Sequence, residues 1–167
     1  MNRRVPSASR LKRIRLILLD VDGVMTDGSI LHSSSGDELR RFDVKDGYGV
    51  VKARKAGLVF GIISGKRSPI VSARARELGI GEVVQRSRDK ERDYLKILSK
   101  LKVEEREAAF IGDDDPDLPV LRRVGFAAAP SDAMERVKRE VHYVCSNRGG
   151  RGAVREVIEL ILKARGD

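Results

Sequence analysis

Short apolar runs alternate with longer segments of helical periodicity along this chain of 167 residues. This alternation restricts the fold more than any other feature, because strands that are joined by helices form a parallel sheet with helices on both faces. Strands are predicted at 14–20, 58–63, 82–85, 108–111, 125–128 and 142–145. A helix is predicted at 89–101, where apolar residues recur every three or four positions. The predicted fold class is therefore α/β, with a Rossmann-like, doubly wound parallel sheet.

Two segments interrupt the alternation. Residues 27–44 read DGSILHSSSGDELRRFDV, in which two short extended stretches flank a turn rich in serine and glycine. This pattern predicts a β-hairpin inserted after the first strand. Near the end of the sequence, NRGGRGAVREVIELILKARGD places a cluster of glycines before an amphipathic helix. We expect a single domain over residues 14–167, preceded by a basic arm at residues 1–13.

The formal net charge of +9 raises the question of a nucleic-acid partner. Residues 1–15 contain six Arg or Lys residues and no acid, so much of the excess charge lies in the arm. Aromatic side chains, which stack on exposed bases, make up only 4% of the residues. We therefore expect no nucleic-acid partner and a frayed arm with solvated charges, although such an arm could also bind an acidic partner.

No stretch reaches the roughly 18 apolar residues of a membrane span. The apolar run after the basic arm is also interrupted by Asp20, too early for a secretory signal. We therefore expect a soluble, cytoplasmic protein with no membrane partner. Cys145 is the only cysteine and is expected to be a small buried strand residue, and the two histidines lack the spacing of a zinc site.

Carboxylates follow two of the predicted strands. LILLDVDGVMTDG, residues 16–28, places Asp20 and Asp22 at the end of the first strand. AFIGDDDPDLPVL, residues 109–121, places four aspartates after another strand. Because the carboxyl ends of parallel strands share one edge, these acids are expected to meet there. Acidic turns are common, but oxygen ligands without histidine or cysteine suit Mg²⁺.

Other strand ends provide groups that suit a phosphate. Ser64 and Gly65 follow a strand and offer a hydroxyl and backbone N–H groups, although such a serine is also a common helix cap. Lys90 lies at the start of a predicted helix, where the helix dipole does not favour a cation. A cation placed against this preference is a functional candidate, and a solvated lysine is an equal alternative for Lys90 taken alone.

These groups together predict phosphoryl-transfer chemistry. A carboxylate beside Mg²⁺ can attack phosphorus and form an aspartyl-phosphate, while the metal, a serine and a lysine stabilise the phosphate oxygens. A second aspartate can protonate the leaving alkoxide and later deprotonate the attacking water.

The order Asp-x-Asp-Gly, Ser-Gly, Lys, Gly-Asp-Asp resembles the haloacid dehalogenase-like superfamily of phosphohydrolases. The resemblance implies that Asp20 is the nucleophile and Asp22 the acid and base. It also implies that Ser64, Gly65 and Lys90 bind phosphate. The implied Mg²⁺ ligands are Asp20, Asp113 and the backbone carbonyl of Asp22, with Asp114 and Asp117 as supporting or water-mediated partners.

Four segments narrow the resemblance to the capless 3-deoxy-D-manno-octulosonate 8-phosphate phosphatases. They are DVDGVMTDG, FDVKDGYGV, GDDDPDLPVL and GGRGAVRE. The resemblance implies a sugar-acid phosphate substrate, a role in lipopolysaccharide biosynthesis and a homotetramer whose hairpins form a barrel and whose subunits close one another's sites. The implied substrate-binding residues are Asp46, Lys66, Arg67 and Arg151.

Two departures bear on the substrate. Lys66 stands where these phosphatases usually have arginine, and lysine cannot make the bidentate contact of arginine with a carboxylate, although Arg67 is adjacent. Asp115 and Pro116 also alter the usual acidic motif. Phosphatases of nine-carbon keto-sugar acid phosphates therefore remain an alternative. A non-enzymatic phospho-receiver domain is a further one, disfavoured because its acceptor would follow a middle strand, where this chain has Ser64.

Overall fold

Six parallel strands form the main sheet of this computed structural model, which describes residues 6–167. In chain order the strands are β1 (Leu16–Leu19), β2 (Leu31–His32), β3 (Glu38–Leu39), β4 (Val59–Ile63), β5 (Glu82–Val84), β6 (Ala108–Ile111), β7 (Phe126–Ala129) and β8 (Tyr143–Val144). The sheet order is β5-β4-β1-β6-β7-β8, while β2 and β3 pair separately. All six predicted strands are present, with ends that differ by one or two residues.

Helices cover both faces of the sheet. They are α1 (Ala8–Lys12), α2 (Val44–Lys55), α3 (Pro69–Leu78), α4 (Lys90–Leu101), α5 (Leu118–Leu121), α6 (Glu135–Glu140) and α7 (Ala153–Arg165), with short 3₁₀ turns at Glu105–Glu107 and Asp115–Asp117. The predicted helix at 89–101 corresponds to α4, for which Asp89 is the N-cap. The predicted doubly wound α/β fold is confirmed.

The central strands are apolar at every position because each side of the sheet is buried. In β1, Ile17 and Leu19 belong to one core cluster, and Leu16 and Leu18 belong to the other. The first cluster includes residues of α2, α3 and α7, and the second includes residues of α4, α5 and α6. A strand buried on both faces appears as a continuous apolar run rather than as an alternating one.

The predicted hairpin is present between β1 and α2. Its strands β2 and β3 are antiparallel, with Leu31 opposite Leu39 and His32 opposite Glu38. Each strand is only two residues long, because a turn rich in serine occupies the middle of the segment.

The prediction of a frayed basic arm is wrong for residues 8–12, and residues 1–5 lie outside the described range. Residues 8–12 form α1, which packs against α7. Leu11 is buried, and the guanidinium of Arg10 donates to the carbonyl oxygen of Gly125 at 3.0 Å. One apolar residue among the charges was enough to anchor the segment.

Cys145 is buried immediately after β8, as expected. Across residues 6–167, no helix has the length and apolar character needed to cross a bilayer.

Candidate active site

The pairing of β1 with β6 brings the two acidic segments together. Leu19 lies opposite Ile111, so the next residues of both strands leave the sheet side by side. The backbone N–H of Asp20 donates to the carbonyl oxygen of Ile111 at 3.0 Å, which extends the pairing by one residue. In the sheet order, β4 and β5 lie on one side of β1, and β6, β7 and β8 lie on the other. The strand order therefore reverses at β1, and ligands of doubly wound folds bind at such a position.

Three carboxylates meet at this edge. Single oxygens of Asp20, Asp113 and Asp117 lie within 4.8 Å of one another. Gly23 makes this approach possible, because a Cβ atom there would lie 2.1 Å from Oδ2 of Asp113, and its φ of +87° is a conformation that glycine adopts readily. The loop after β1 therefore packs directly on the acid that follows β6.

The surroundings of Asp113 fit a divalent cation. Its Oδ1 atom is buried and has no hydrogen-bond partner among the described residues. Burial raises the pKa of Asp113 to about 8, and the carboxylates of Asp20, Asp117 and Asp114 add to the shift. Burial and the charge of Asp117 likewise raise the pKa of Asp20 to about 6. A divalent cation would stabilise the ionised forms of these clustered carboxylates, and Mg²⁺ prefers oxygen ligands of this kind.

Lys90 neutralises part of this negative charge. It is the first residue of α4, and its Nζ atom donates to Asp117 at 2.6 Å and lies 2.9 Å from an oxygen of Asp20. Although burial opposes the shift, these two carboxylates raise the pKa of Lys90 above its usual value. The interpretation of Lys90 as a solvated surface residue is therefore wrong.

Asp117 has a more central position than its predicted supporting role implied. One of its oxygens accepts the hydrogen bond from Lys90, and the other accepts the backbone N–H groups of Asp113 at 2.9 Å and Asp114 at 3.3 Å. Both oxygens are thus engaged inside the chain. Asp117 orients the loop that carries Asp113 and holds Lys90 beside Asp20, whereas Asp114 is exposed.

Asp22 lies outside the cluster of three carboxylates. Its Oδ1 atom accepts a hydrogen bond from Nη1 of Arg40, which follows β3 of the hairpin. Sequence reasoning missed Arg40, because nothing in the local sequence distinguishes it from the adjacent Arg41. The predicted metal contact of the Asp22 backbone carbonyl stays a prediction.

Ser64 follows β4, the other neighbour of β1, and is 2% exposed. Gly65 comes next and is exposed, with no atom closer than 3.8 Å to a Cβ built there. Lys66 and Arg67 are also exposed, and neither forms an ion pair with the described residues. Their predicted contact with substrate stays a prediction.

Asp46, another predicted substrate-binding residue, lies in α2 and is buried. Its carboxylate accepts the backbone N–H groups of Gly152 at 3.2 Å and Arg155 at 2.7 Å. It thereby caps the start of α7, where Gly152 has no side chain to do so. These contacts explain the burial of Asp46, and its contact with substrate stays a prediction.

The glycine-rich segment before α7 packs against the loop that carries Asp22. The N–H of Gly150 donates to the carbonyl oxygen of Val24 at 2.9 Å. A Cβ atom on Gly149 would lie 1.8 Å from the carbonyl oxygen of Gly23. Arg151 follows as an exposed turn residue. Its predicted substrate contact stays a prediction.

Comparison with known proteins gives a consistent result. Residues 41–125 match the family model of the haloacid dehalogenase-like hydrolases. The chain is 42% identical over 156 residues to the 3-deoxy-D-manno-octulosonate 8-phosphate phosphatase KdsC of Yersinia pestis, covering 93% of this chain and 83% of that protein. It is 39% identical over 158 residues to KdsC of Escherichia coli K12, covering 95% and 84%.

Solved structures show the same likeness. The crystal structure of the Yersinia pestis phosphatase has a TM-score of 0.93 at 42% identity, covering 95% of this chain and 86% of that chain. The phosphatase of Moraxella catarrhalis, in complex with a magnesium ion, a phosphate ion and a KDO molecule, has a TM-score of 0.93 at 40% identity, covering 95% and 91%. Since sequence and fold agree over nearly all of the described residues, the chain belongs to the haloacid dehalogenase-like hydrolases.

Proposed function

We propose that this protein is a Mg²⁺-dependent phosphatase that hydrolyses 3-deoxy-D-manno-octulosonate 8-phosphate to the free sugar acid and phosphate. The observation that carries the proposal is the meeting of Asp20, Asp113 and Asp117 with Lys90 at one edge of the sheet. The names of the relatives from Yersinia pestis and Moraxella catarrhalis support the choice of substrate.

Asp20 acts as the nucleophile in this proposal. A carboxylate oxygen of Asp20 attacks phosphorus as the bond from phosphorus to the sugar oxygen breaks, and Asp22 donates a proton to the departing oxygen. Water then attacks the phosphorus of the aspartyl-phosphate and gives its proton to Asp22. Phosphate leaves, and the carboxylate of Asp20 is restored.

Ser64, the N–H of Gly65 and Lys90 hold the phosphate oxygens during both steps. Asp20, Asp113 and the backbone carbonyl of Asp22 would hold Mg²⁺. When bound, the metal supplies positive charge that lowers the repulsion between the carboxylates and the phosphate.

Exposed cations near Ser64 are suited to the acid group of the sugar. Lys66 and Arg67 follow the phosphate-binding Ser64 and Gly65 directly, and we assign them, with Asp46 and Arg151, to the substrate. A sugar acid that also carries phosphate has two anionic ends, and exposed basic residues outside the acidic cluster complement the second one.

We also propose that the protein is a homotetramer of the cytoplasm that serves lipopolysaccharide biosynthesis. The hairpin supports self-association, since Leu31 and Leu39 face each other across its strands and are 57% and 54% exposed. Tyr48 and Val44 of the adjacent helix α2 are also exposed. Apolar side chains clustered at a surface are typical of protein interfaces.

Phosphate release from a panel of phosphorylated keto-sugar acids tests the function. The eight-carbon substrate should be hydrolysed fastest, and only with Mg²⁺ present. Asp20→Asn should lower the rate by about 10⁴-fold or more, because an amide is not a competent nucleophile. Asp115→Asn, which alters an exposed acid of the same segment, is the matched control and should change the rate by less than about twofold.

Three results would contradict the proposal. Faster hydrolysis of a nine-carbon keto-sugar acid phosphate would reassign the substrate. Full activity of Asp20→Asn would exclude the mechanism. Stoichiometric phosphorylation of the protein without release of phosphate would favour a receiver domain.

A further inference from the structure

Arg40 connects the hairpin insert to the loop that carries Asp22. Its side chain is 1% exposed, its Nη1 atom donates to Oδ1 of Asp22 at 2.5 Å, and its Nε atom donates to Glu38 at 2.6 Å. The neighbouring Arg41 differs sharply, because it pairs with Asp27 while 55% exposed. Two adjacent arginines of one hairpin thus have different environments, and only Arg40 contacts the predicted acid and base.

One nitrogen of Arg40 has no partner. Its Nη2 atom is buried and donates no hydrogen bond to any of residues 6–167. Buried polar atoms of folded proteins are nearly always hydrogen-bonded, so an arginine with a purely structural role would be expected to have this donor satisfied. Because the guanidinium is rigid and planar, the spare N–H lies close to the one that holds Asp22.

The contact also gives the two carboxylate oxygens of Asp22 different environments. Oδ1 accepts the hydrogen bond from Arg40, and Oδ2 has no hydrogen bond to any described residue. The Asp22 side chain is 23% exposed, so solvent and a ligand can reach it. One oxygen is therefore anchored, and the other is left for proton transfer.

We propose that Arg40 is a positioning residue for Asp22, which orients the free oxygen of that carboxylate toward the leaving group and presents a second N–H donor on the same side. The proposal rests on the phosphatase function proposed above. Proton transfer requires the acid to lie within hydrogen-bond reach of the departing oxygen, so an unanchored Asp22 should slow the step without weakening substrate binding.

The kinetics of Arg40→Met, Arg40→Lys and Arg41→Met test this role, with the eight-carbon sugar-acid phosphate as substrate. Arg40→Met should lower kcat by about tenfold to a hundredfold with less than about a threefold change in KM. Arg40→Lys retains a donor for Asp22 and should recover most of the loss. Arg41→Met removes an exposed cation of the same hairpin and should stay within about twofold of the parent enzyme.

A substrate with a good leaving group distinguishes the positioning of Asp22 by Arg40 from a general loss of catalytic activity. Nitrophenolate departs with little need for a proton, so Arg40→Met should slow the first-turnover release of nitrophenolate from p-nitrophenyl phosphate, which precedes the attack of water, by less than about threefold. In an Asp22→Asn background, Arg40→Met should change the residual rate by less than about twofold, because no carboxylate remains to be positioned. Thermal unfolding of each variant verifies that it is folded.

Four outcomes would overturn the positioning role. They are an unchanged kcat, a rise in KM alone, equal losses in the first turnover of both substrates without rescue by lysine, and full additivity with Asp22→Asn. An absence of turnover by the parent enzyme would refute the phosphatase function itself, whereas turnover by the parent with any of these four outcomes refutes only the role of Arg40.

Discussion

At Asp113, a carboxylate is buried among other carboxylates, and one of its oxygens has no hydrogen-bond partner among the described residues. Within residues 6–167, Lys90 is the cation that pairs with this cluster, and it is shared between Asp20 and Asp117. The three acids therefore carry more negative charge than the chain alone neutralises, and a divalent cation would remove the excess.

The charge imbalance predicts how Mg²⁺ affects stability at different pH values. Burial and neighbouring acids raise the pKa of Asp113 to about 8 and that of Asp20 to about 6, so the folded state binds protons more tightly than the unfolded chain. The metal-free protein should therefore lose stability as the pH rises from about 5 to about 8. Mg²⁺ binds the ionised carboxylates, so its increase of Tm should be larger at pH 8 than at pH 6.

Thermal unfolding at both pH values, with and without Mg²⁺, measures this effect. Asp113→Asn is the informative comparison, because it removes the carboxyl group whose pKa burial raises to about 8. In that variant the metal-free protein should be less sensitive to pH, and Mg²⁺ should raise Tm little. An equal increase in Tm for both proteins would show that Asp113 does not bind the metal.

At the scale of elements, the active-site edge depends on close contact between two loops that are distant in sequence. The loop after β1 carries Asp22 and Gly23, and the loop before α7 carries Gly149 and Gly150. Asp46 of α2 caps α7 and so fixes the second loop from the other side. The position of the C-terminal helix therefore affects the geometry around Asp22.

This contact makes Gly149 a sensitive position. Its Cβ in an alanine variant would lie 1.8 Å from the carbonyl oxygen of Gly23, so one of the two loops must move. We expect Gly149→Ala to lower the free energy of unfolding by about 1–3 kcal/mol. We also expect it to lower kcat by about tenfold or more, because the Asp22 loop would shift. Denaturant unfolding and phosphate release measure the two effects.

Gly81→Ala is the matched control for this variant. No atom lies within 4 Å of a Cβ at Gly81, and its φ is not in the left-handed region. The substitution should leave activity unchanged and stability equal or slightly higher. A similarly mild result for Gly149→Ala would mean that the two loops do not constrain each other.

At the scale of the whole molecule, the hairpin extends from a sheet that is otherwise covered on both faces. Leu31 and Leu39 are exposed although they form a cross-strand pair, and no core cluster includes them. These two leucines therefore contribute nothing to the core of their own chain. Its apolar surface fits an interface between copies of the chain.

Disruption of this surface should change the oligomeric state. Leu39→Lys places a charge on the exposed face of the hairpin, and burying an unpaired charge in an interface is unfavourable. We expect the proposed tetramer to dissociate into smaller species in size-exclusion chromatography with light scattering. Met134→Lys is the control, because Met134 is 57% exposed and lies before α6 rather than in the hairpin. A Leu39→Lys protein of unchanged mass would exclude the hairpin interface.

Much of the fold was predictable because apolar runs and helical periodicity depend on local sequence. The six strands of the sheet, the helix after Asp89 and the hairpin insert all follow from such patterns. The frayed arm was predicted wrongly, because its charges obscured the contribution of Leu11, which packs in the core. Which residues lie opposite each other depends on strand order, and local patterns contain no information about strand order.

The sequence by itself determined that carboxylates and a serine would lie at strand ends and that a lysine would lie at the start of a helix, since each of them follows or begins a recognisable element. Only the tertiary structure decided that Asp117 holds both Lys90 and the Asp113 loop, that Asp46 caps α7, and that Arg40 anchors Asp22. These contacts join residues of different elements, and their geometry depends on how the strands order and the loops pack. Side-chain partners across such distances are set by the packed core and not by spacing along the chain.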